Sequence, residues 1–178
     1  MAGGLLYDLG SHLIDQALVL FGPVTHVWAE VDVRRRTGAV DDDVFVAMTH
    51  ANGVHSHMWT TLLAADPGPR FVVRGDRGSY VKRGLDVQED ALKRGLRPVD
   101  GTWGAEPQAG WGTLHDGSAG HPFETVRGDY GAFYRQLAAA LRGEGALPVD
   151  ANDAVRTLTV IEAAQRSARE TRVIELAG

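Results

Sequence analysis

The sequence has 178 residues, of which 44% are hydrophobic and 23% charged, and a formal net charge of −5. This length suits one domain with a single core, and the acidic balance argues against nucleic acid or an anionic membrane surface as the main partner. The chain has no cysteine, which excludes a disulfide framework, thiol catalysis and thiolate zinc sites and fits a cytoplasmic protein. No stretch of the sequence has the pattern of a signal peptide or a membrane span.

The first predicted element is an amphipathic helix from Gly3 to Gly22. Spacings of four and three residues, at about 100° per residue, place Asp8, His12 and Asp15 within a narrow arc. The apolar residues expected on the opposite side are Leu9, Leu13, Ala17, Leu20 and Phe21. A histidine between two carboxylates can transfer protons, because a carboxylate orients the ring and stabilises its cation.

The polar stripe also has a plain structural interpretation, because any amphipathic helix turns polar residues to solvent. Three details favour a functional one. The stripe carries no lysine or arginine, whereas a solvated face usually mixes both signs. Gly10 lies inside the helix at a cost of roughly 1 kcal/mol relative to alanine. Gly3 and Gly4 open the helix, and glycines in these places suggest the close approach of a ligand or another backbone.

Period-two alternation of apolar and polar residues predicts a series of strands after Gly22. The first covers residues 26–33, and the second, residues 44–49, is apolar on both sides as a central strand would be. Asn52-Gly53 is a dipeptide typical of tight hairpins, so residues 54–63 should return antiparallel. Residues 71–74 and 79–82 continue the meander.

The remaining chain is predicted to be a long excursion followed by two helices. Residues 87–96 suit a short charged helix, whereas residues 98–120 predict an irregular loop, packed on the surface or acting as a lid. Asp129 and Asp150 are candidate N-caps of the closing helices, and residues 172–176 suit a final edge strand. The predicted class is α+β, with an open, mostly antiparallel sheet and helices on one face.

The uncovered face of the sheet is predicted to be aromatic. The third strand turns His55, His57, Trp59, Thr61 and Leu63 to one side, and Trp28 lies on the less apolar side of the first strand. Such a surface commonly marks an interface, so we expect self-association through the sheet.

Metal and phosphate sites are weaker interpretations of the remaining polar clusters. His55 and His57 could ligate a metal with His50 or Asp41–Asp43, and Asp8, His12 and Asp15 could do the same, but no third ligand is clear for the strand pair and we expect no metal. Arg34–Arg36 end a strand, which favours a solvated strand end over a phosphate site.

The opening segment resembles the GGxxxDxGxHxxD signature of the Gfo/Idh/MocA oxidoreductases. Every fixed position is present: Gly3, Gly4, Asp8, Gly10, His12 and Asp15. The later segments at residues 67–96, 128–141 and 160–176 are similar to the branch that includes dehydrogenases of scyllo-inositol.

The resemblance implies a fold and a reaction. Members use NAD or NADP to oxidise or reduce sugars and cyclic polyols, so His12 would take the hydroxyl proton, Asp8 would orient His12 or bind substrate, and Asp15 would hold a neighbouring hydroxyl. Members begin with a Rossmann domain and carry a lysine in an EKP-like motif. Because neither occurs here, residues 1–178 are expected to be a single C-terminal substrate-binding and oligomerisation domain.

Two consequences follow for the isolated chain. It should bind no cofactor and be catalytically silent, because the cofactor-binding residues of the family lie in the part that this sequence lacks. The alternative hypothesis is non-catalytic: an oligomerisation or sugar-binding module, in which the helix stripe only binds polyol or faces solvent.

Overall fold

The computed structural model describes residues 3–98 and 101–176 of the chain. Within these residues every strand pair is antiparallel, which confirms the predicted α+β class. The strands are β1 (Val24–Asp32), β2 (Asp43–His50), β3 (His55–Thr61), β4 (Phe71–Gly75), β5 (Gly78–Lys82), β6 (Gly112–His115), β7 (Gly120–Phe123) and β8 (Ile174–Glu175). The helices are α1 (Ser11–Phe21), α2 (Val87–Lys93), α3 (Tyr130–Leu141) and α4 (Ala151–Glu170).

The strands form two sheets of four rather than one sheet, and the chain divides into two compact units. The first unit runs to Ala65 and resumes at Val149; the second is Asp66–Pro148. Alternation of residues predicts strands but does not specify which strands share hydrogen bonds, and the sequence analysis therefore missed this division.

The sheet of the first unit has the strand order β3-β2-β1-β8. As predicted, β2 is a central strand of this sheet. Every second side chain of β2 is buried on the face that α1 and α4 cover, namely Val44, Val46 and Met48. Helix α4 contributes Val160, Ile161 and other apolar residues to this core. Burying large aliphatic side chains stabilises the fold by roughly 1.5–3 kcal/mol each, so this one-sided core holds α1 against the sheet.

The edge strand β8 is short and pairs only with His26 and Val27 of β1. Beyond it, the backbone N–H of Ala29 donates to Ser167 Oγ of α4 over 3.0 Å, and the same hydroxyl donates to the carbonyl of Arg172 over 2.6 Å. A buried backbone N–H needs such a partner. Where β8 ends, a side chain of α4 therefore supplies the hydrogen-bond acceptor that β1 needs.

The second unit is a meander of β4 to β7 with α2 and α3. The prediction of an irregular loop over residues 98–120 was wrong in part, because β6 lies within that range and β7 begins at its end. These strands have four residues each and lack a sustained alternation. Their turn is closed by Asp116, whose carboxylate accepts hydrogen bonds from the hydroxyl and the backbone N–H of Ser118. These hydrogen bonds lower the pKa of Asp116 to about 2.

Buried polar groups anchor the segment between α2 and β6. Gln88 is fully buried, and its side-chain oxygen accepts from Trp103 Nε1 (2.9 Å) and from the backbone N–H of Tyr130 (3.1 Å). Trp111 Nε1 donates to the carbonyl of Glu106 over 3.1 Å. Trp103 therefore ties this segment to α2, and the Trp111 hydrogen bond holds the segment's own fold together, which favours a packed loop over a lid.

The predicted helix caps are confirmed. The carboxylate of Asp129 accepts from the N–H of Ala132, and that of Asp150 accepts from the N–H of Asn152. The final strand is confirmed as a short edge pair on β1. None of the helices in residues 3–98 and 101–176 combines the length and apolar character needed to cross a bilayer.

Candidate active site

The predicted opening helix consists of two parts. A turn of π-helix covers Leu6–Gly10 and leads directly into α1. Wide turns of this kind recur at functional sites. The first part carries Asp8, and the second carries His12 and Asp15.

Asp41, from the connection between β1 and β2, anchors the start of this segment. Its carbonyl accepts from the N–H of Leu5 over 3.0 Å, and its Oδ2 accepts from the N–H of Leu6 over 2.7 Å. Free N–H groups at a helix start need such acceptors. The sequence analysis missed this role, because nothing in the local pattern links Asp41 to a helix 35 positions away.

The glycines of the motif are explained by contacts inside the first unit. Gly4 has φ of +95°, and a Cβ there would lie 1.9 Å from Asp41 Oδ1. A Cβ on Gly10 would lie 3.1 Å from Leu6 and 3.3 Å from Met58 of β3. The close approach predicted from these glycines therefore exists, but the approaching groups are side chains of this unit.

The three predicted site residues lie on the solvent side of the segment. Asp8, His12 and Asp15 are all exposed, whereas Ile14 and Ala17 are buried. At about 100° per residue, His12 lies about 160° around α1 from Ile14. The side chains of the stripe are therefore free to meet a ligand.

The prediction of which residues form the apolar side of this helix was partly wrong. Leu9 and Leu20 are 42% and 59% exposed. The buried stripe is centred on Ile14, and Leu20 lies about 120° away from it around the helix. Together with Val19, which is 78% exposed, these residues border the polar stripe with apolar surface.

The other histidines and acids considered as ligands have structural partners. His50 is buried, with Nδ1 2.8 Å from the carbonyl of Gly22 and Nε2 2.8 Å from Ser56 Oγ. Asp42 is buried, and hydrogen bonds from the N–H of Arg34 and the guanidinium of Arg35 hold the pKa of its carboxyl below the usual range. In the part of the chain that the structure describes, no three His, Asp or Glu side chains are grouped as a metal site.

The arginine triplet is a strand end whose charges are largely paired. Arg34 contacts Asp32 over 2.7 Å and Asp43 over 3.2 Å, and Arg35 contacts Asp42 over 2.8 Å. These ion pairs of Arg34 and Arg35 with nearby aspartates agree with the predicted strand end.

The side of β1, β2 and β3 opposite the helices, here called the outer face, carries the predicted aromatic surface. Phe45 lies at its centre, with ring centroids 5.9 Å from Trp28, 5.9 Å from His57 and 6.1 Å from Trp59. Trp59 is 72% exposed. A shallow groove of about 300 Å³ runs from these rings to Asp32 and Arg34.

The described residues do not fit a dinucleotide. Gly75 and Gly78 belong to the β4–β5 hairpin, and a Cβ on Gly112 would meet the Tyr80 ring, so neither glycine pair joins a strand to a helix N-terminus as a pyrophosphate site requires. Lys82 is also already engaged in hydrogen bonds, because its Nζ donates to the Glu106 carboxylate (2.8 Å) and to the carbonyls of Arg83 and Gly110.

Comparison with known proteins identifies the chain. Residues 1–176 match the family model described as the oxidoreductase family, C-terminal alpha/beta domain, of Gfo/Idh/MocA proteins. The chain belongs to the Gfo/Idh/MocA oxidoreductase family. The motif-bearing helix and the outer face therefore belong to the C-terminal domain of a Gfo/Idh/MocA protein.

Relatives within the Gfo/Idh/MocA family include a dehydrogenase named for its substrate. The chain is 35% identical to the scyllo-inositol 2-dehydrogenase (NADP(+)) IolW of Bacillus subtilis, covering 98% of this chain and 50% of that protein. It is 39% identical to YdgJ of Escherichia coli K12, an uncharacterised oxidoreductase, covering 98% of this chain and 51% of that protein. The chain thus spans about half the length of these relatives.

A solved structure shows the same fold. The oxidoreductase yvaA of Bacillus subtilis has a TM-score of 0.93 and 36% identity, over 99% of this chain and 52% of that one. This likeness extends over both compact units, and it confirms the expected C-terminal domain fold of Gfo/Idh/MocA proteins.

Proposed function

We propose that this chain is the substrate half of an NAD(P)-dependent oxidoreductase that transfers hydride to or from a polyol or sugar of the inositol type. The observation that carries the proposal is the exposed His12 between exposed Asp8 and Asp15, on a helix whose other side is fixed in the core. The name of the Bacillus subtilis relative, a scyllo-inositol dehydrogenase, supports the substrate class.

In the oxidative direction, His12 would accept the proton of a secondary hydroxyl while hydride leaves the carbon that bears it, so that a carbonyl forms. Histidine suits this role because its ordinary pKa lies near working pH. Asp8, one helical turn before His12, would orient the imidazole or bind substrate. Asp15 would accept a hydrogen bond from a neighbouring hydroxyl, since a buried hydroxyl without a partner weakens binding.

The hydride acceptor belongs to another part of the enzyme. A nicotinamide cofactor supplies that acceptor when bound, and the described residues of this chain contain no cradle for its pyrophosphate. We therefore propose that the chain alone neither turns over polyols nor binds NADPH tightly. NADPH fluorescence measures cofactor binding directly, and tight binding by the chain alone would contradict the proposal that the cofactor site lies in another part of the enzyme.

The apolar surface beside the polar stripe supports the proposal of a covering half. Leu9, Val19 and Leu20 are exposed next to Asp8, His12 and Asp15. Large exposed apolar side chains grouped around polar ones are typical of a surface that another body covers. Covering would exclude water from the reacting atoms and strengthen the polar contacts.

The decisive experiment substitutes His12→Asn in the enzyme formed when this chain is joined to its nicotinamide-binding half. We expect kcat to fall by about 10²–10⁴-fold, the range of general acid–base catalysis, while nicotinamide binding is retained. His121→Asn is the matched control, because His121 is an exposed histidine of the second unit. Normal turnover of the His12 variant would reject His12 as the base and would favour the non-catalytic module.

We also propose that the chain self-associates through the outer face. Trp59 of the aromatic cluster is 72% exposed, and an exposed cluster of this kind commonly marks an interface. Light scattering over a range of concentrations should give a mass above that of the monomer. Trp59→Ser should shift it toward monomer, whereas Val126→Ser, an exposed apolar residue of the second unit, should not.

A further inference from the structure

A cavity of about 380 Å³ lies within the second unit, against the β5–β6 pair. Val81 and Thr113, which are directly paired across these two strands, form one side of it. Arg83, at the end of β5, and Glu106 and Trp111, from the segment before β6, also line it. Its volume and its mixture of apolar surface with a few polar groups are typical of small-molecule sites.

One oxygen of the Glu106 carboxylate has no hydrogen-bond donor among the described residues. The side chain is about nine-tenths buried, and its Oε1 accepts from Lys82 Nζ over 2.8 Å, whereas Oε2 is buried without a partner. Lys82 has no N–H left to offer Oε2, because its three N–H groups are taken up by Oε1 and by the carbonyls of Arg83 and Gly110. A buried acceptor without a donor is costly, so Oε2 is a position for a donor from outside the chain.

The neighbours of Glu106 hold its carboxylate in place beside the cavity. A Cβ on Gly110 would lie 2.7 Å from Glu106 Oε1, so this glycine leaves the space in which the carboxylate lies. The indole N–H of Trp111 donates to the carbonyl of Glu106 over 3.1 Å. A short 3₁₀ turn, Gln108–Gly110, bends the chain back between these two residues. The acceptor is therefore fixed before a ligand arrives.

The charges around the cavity decide which kind of donor fits. Lys82 neutralises Glu106, and Arg83 adds a positive charge to the lining. An ammonium group or a metal cation would therefore meet like charges, which are unfavourable at close range. A neutral hydroxyl suits the site, because it donates to Oε2 while its lone pairs accept from the Arg83 guanidinium or the Thr113 hydroxyl.

The remaining lining suits the C–H groups of the same ligand. The Trp111 ring, Val81 and Ala109 give the cavity its apolar surface, and an aromatic ring packs well against C–H groups. We propose that this cavity binds a neutral ligand with adjacent hydroxyl groups, of the kind that sugars and polyols carry. The proposal rests on residues of the second unit alone and does not depend on the role of His12 in the first.

Entry of the ligand requires a small movement of the lining. Because Oε2 is buried, a hydroxyl reaches it only when a lining side chain moves. Arg83 is exposed, and its long side chain can swing away and then return to donate to the ligand. Arg83 is therefore expected both to admit the ligand and to bind it.

The four tryptophans of the chain provide separate probes for a titration followed by NMR. In the ¹⁵N-labelled 178-residue chain each indole N–H gives one signal, and Trp111→Phe identifies that of Trp111. Glucose and myo-inositol should shift the Trp111 signal saturably through the millimolar range, whereas methylamine, as the cationic control, should not. A Trp111 signal that neither polyol moves, that methylamine alone moves, or that stays still while Trp28 and Trp59 shift would overturn the proposal.

Variants of the lining test the hydrogen bonds. Arg83→Gln and Thr113→Val should each weaken binding by roughly fivefold to tenfold, as expected for one lost hydrogen bond, whereas Arg77→Gln, an exposed arginine of the same unit, should not. Glu106→Gln replaces one acceptor oxygen by a donor and should weaken binding further, with the exposed Glu89→Gln as its control. Because Glu106→Gln also strands Lys82, the decision rests on Arg83→Gln and Thr113→Val. An unchanged Kd in both would overturn the assignment.

Discussion

The carboxylate of Asp41 accepts a 2.7 Å hydrogen bond from the backbone N–H of Leu6 and occupies the space that a side chain on Gly4 would need. The start of the motif-bearing helix is thus fixed by the connection between β1 and β2. Because Asp8 and His12 follow within six residues of Leu6, their positions depend on this anchor.

Gly4→Ala should therefore destabilise the chain by more than the backbone strain alone. Gly53→Ala is the matched control, because Gly53 also has a positive φ, +85°, but a Cβ there meets nothing within 4 Å. We expect the free energy of unfolding, measured with urea, to fall by about 1 kcal/mol for the control and by about 2–4 kcal/mol for Gly4→Ala. In a double-mutant cycle, Asp41→Ala should relieve part of the Gly4→Ala cost, and strict additivity would contradict the contact.

Asp15→Asn and His12→Asn should affect catalysis of the joined enzyme in different ways. If Asp15 holds a substrate hydroxyl, its loss should mainly raise KM, by about tenfold per hydrogen bond of 1–1.5 kcal/mol. The His12 variant should mainly lower kcat and remove the ionisation of a base from its pH profile. An Asp15 variant with unchanged KM and lowered kcat would instead place Asp15 in proton transfer.

The Lys82–Glu106 ion pair should be a sensitive point of the second unit. Both side chains are about nine-tenths buried, and Nζ lies 2.8 Å from the carboxylate. Removing one partner strands a buried charge, so Lys82→Met should cost about 3–5 kcal/mol. Lys82→Met with Glu106→Gln should recover part of that loss in thermal unfolding, and Lys93→Met, whose ion pair with Glu89 is exposed, should cost less than about 1 kcal/mol.

Asp116 should titrate at unusually low pH. The hydroxyl of Ser118 contributes most to lowering the pKa of Asp116 to about 2, and His121 contributes least. Ser118→Ala should therefore raise this pKa toward its ordinary value of 3.8, and His121→Gln should raise it less. Carboxyl chemical shifts followed by NMR measure both changes.

The sign of the stability effect follows from that direction. A carboxyl whose pKa is lower in the folded state stabilises the fold above its unfolded pKa, and this contribution is lost as the pH falls. For Asp116 the loss should occur between about pH 4 and pH 2. Asp116→Asn should flatten the pH dependence of unfolding in this window, and an unchanged slope would contradict the assignment.

The sequence predicted those features that depend on local periodicity. The solvent-facing side of His12, the central place of β2 and the caps at Asp129 and Asp150 all follow from spacings within one element. The prediction placed Leu20 on the apolar side of the helix because it did not centre that side on Ile14, the middle of the buried stripe.

Long-range relationships lay outside this reasoning. Asp41 meets Leu6, Gln88 meets Tyr130 and Lys82 meets Gly110 only after the chain has folded. The division into two sheets escaped prediction for the same reason, since it depends on which strands find each other. The strands β6 and β7 were missed because four residues carry too little alternation.

The hydrogen bond from Ala29 to Ser167 also limits how the first sheet can grow. Free strand edges are templates along which further chains add, one after another. Here the border of β1 is occupied by β8 and by the Ser167 hydroxyl of α4. An extended segment cannot therefore add along this border without displacing β8 or breaking the hydrogen bond from Ala29 to Ser167, so β1 is protected against strand addition even though the aromatic surface beside it is exposed.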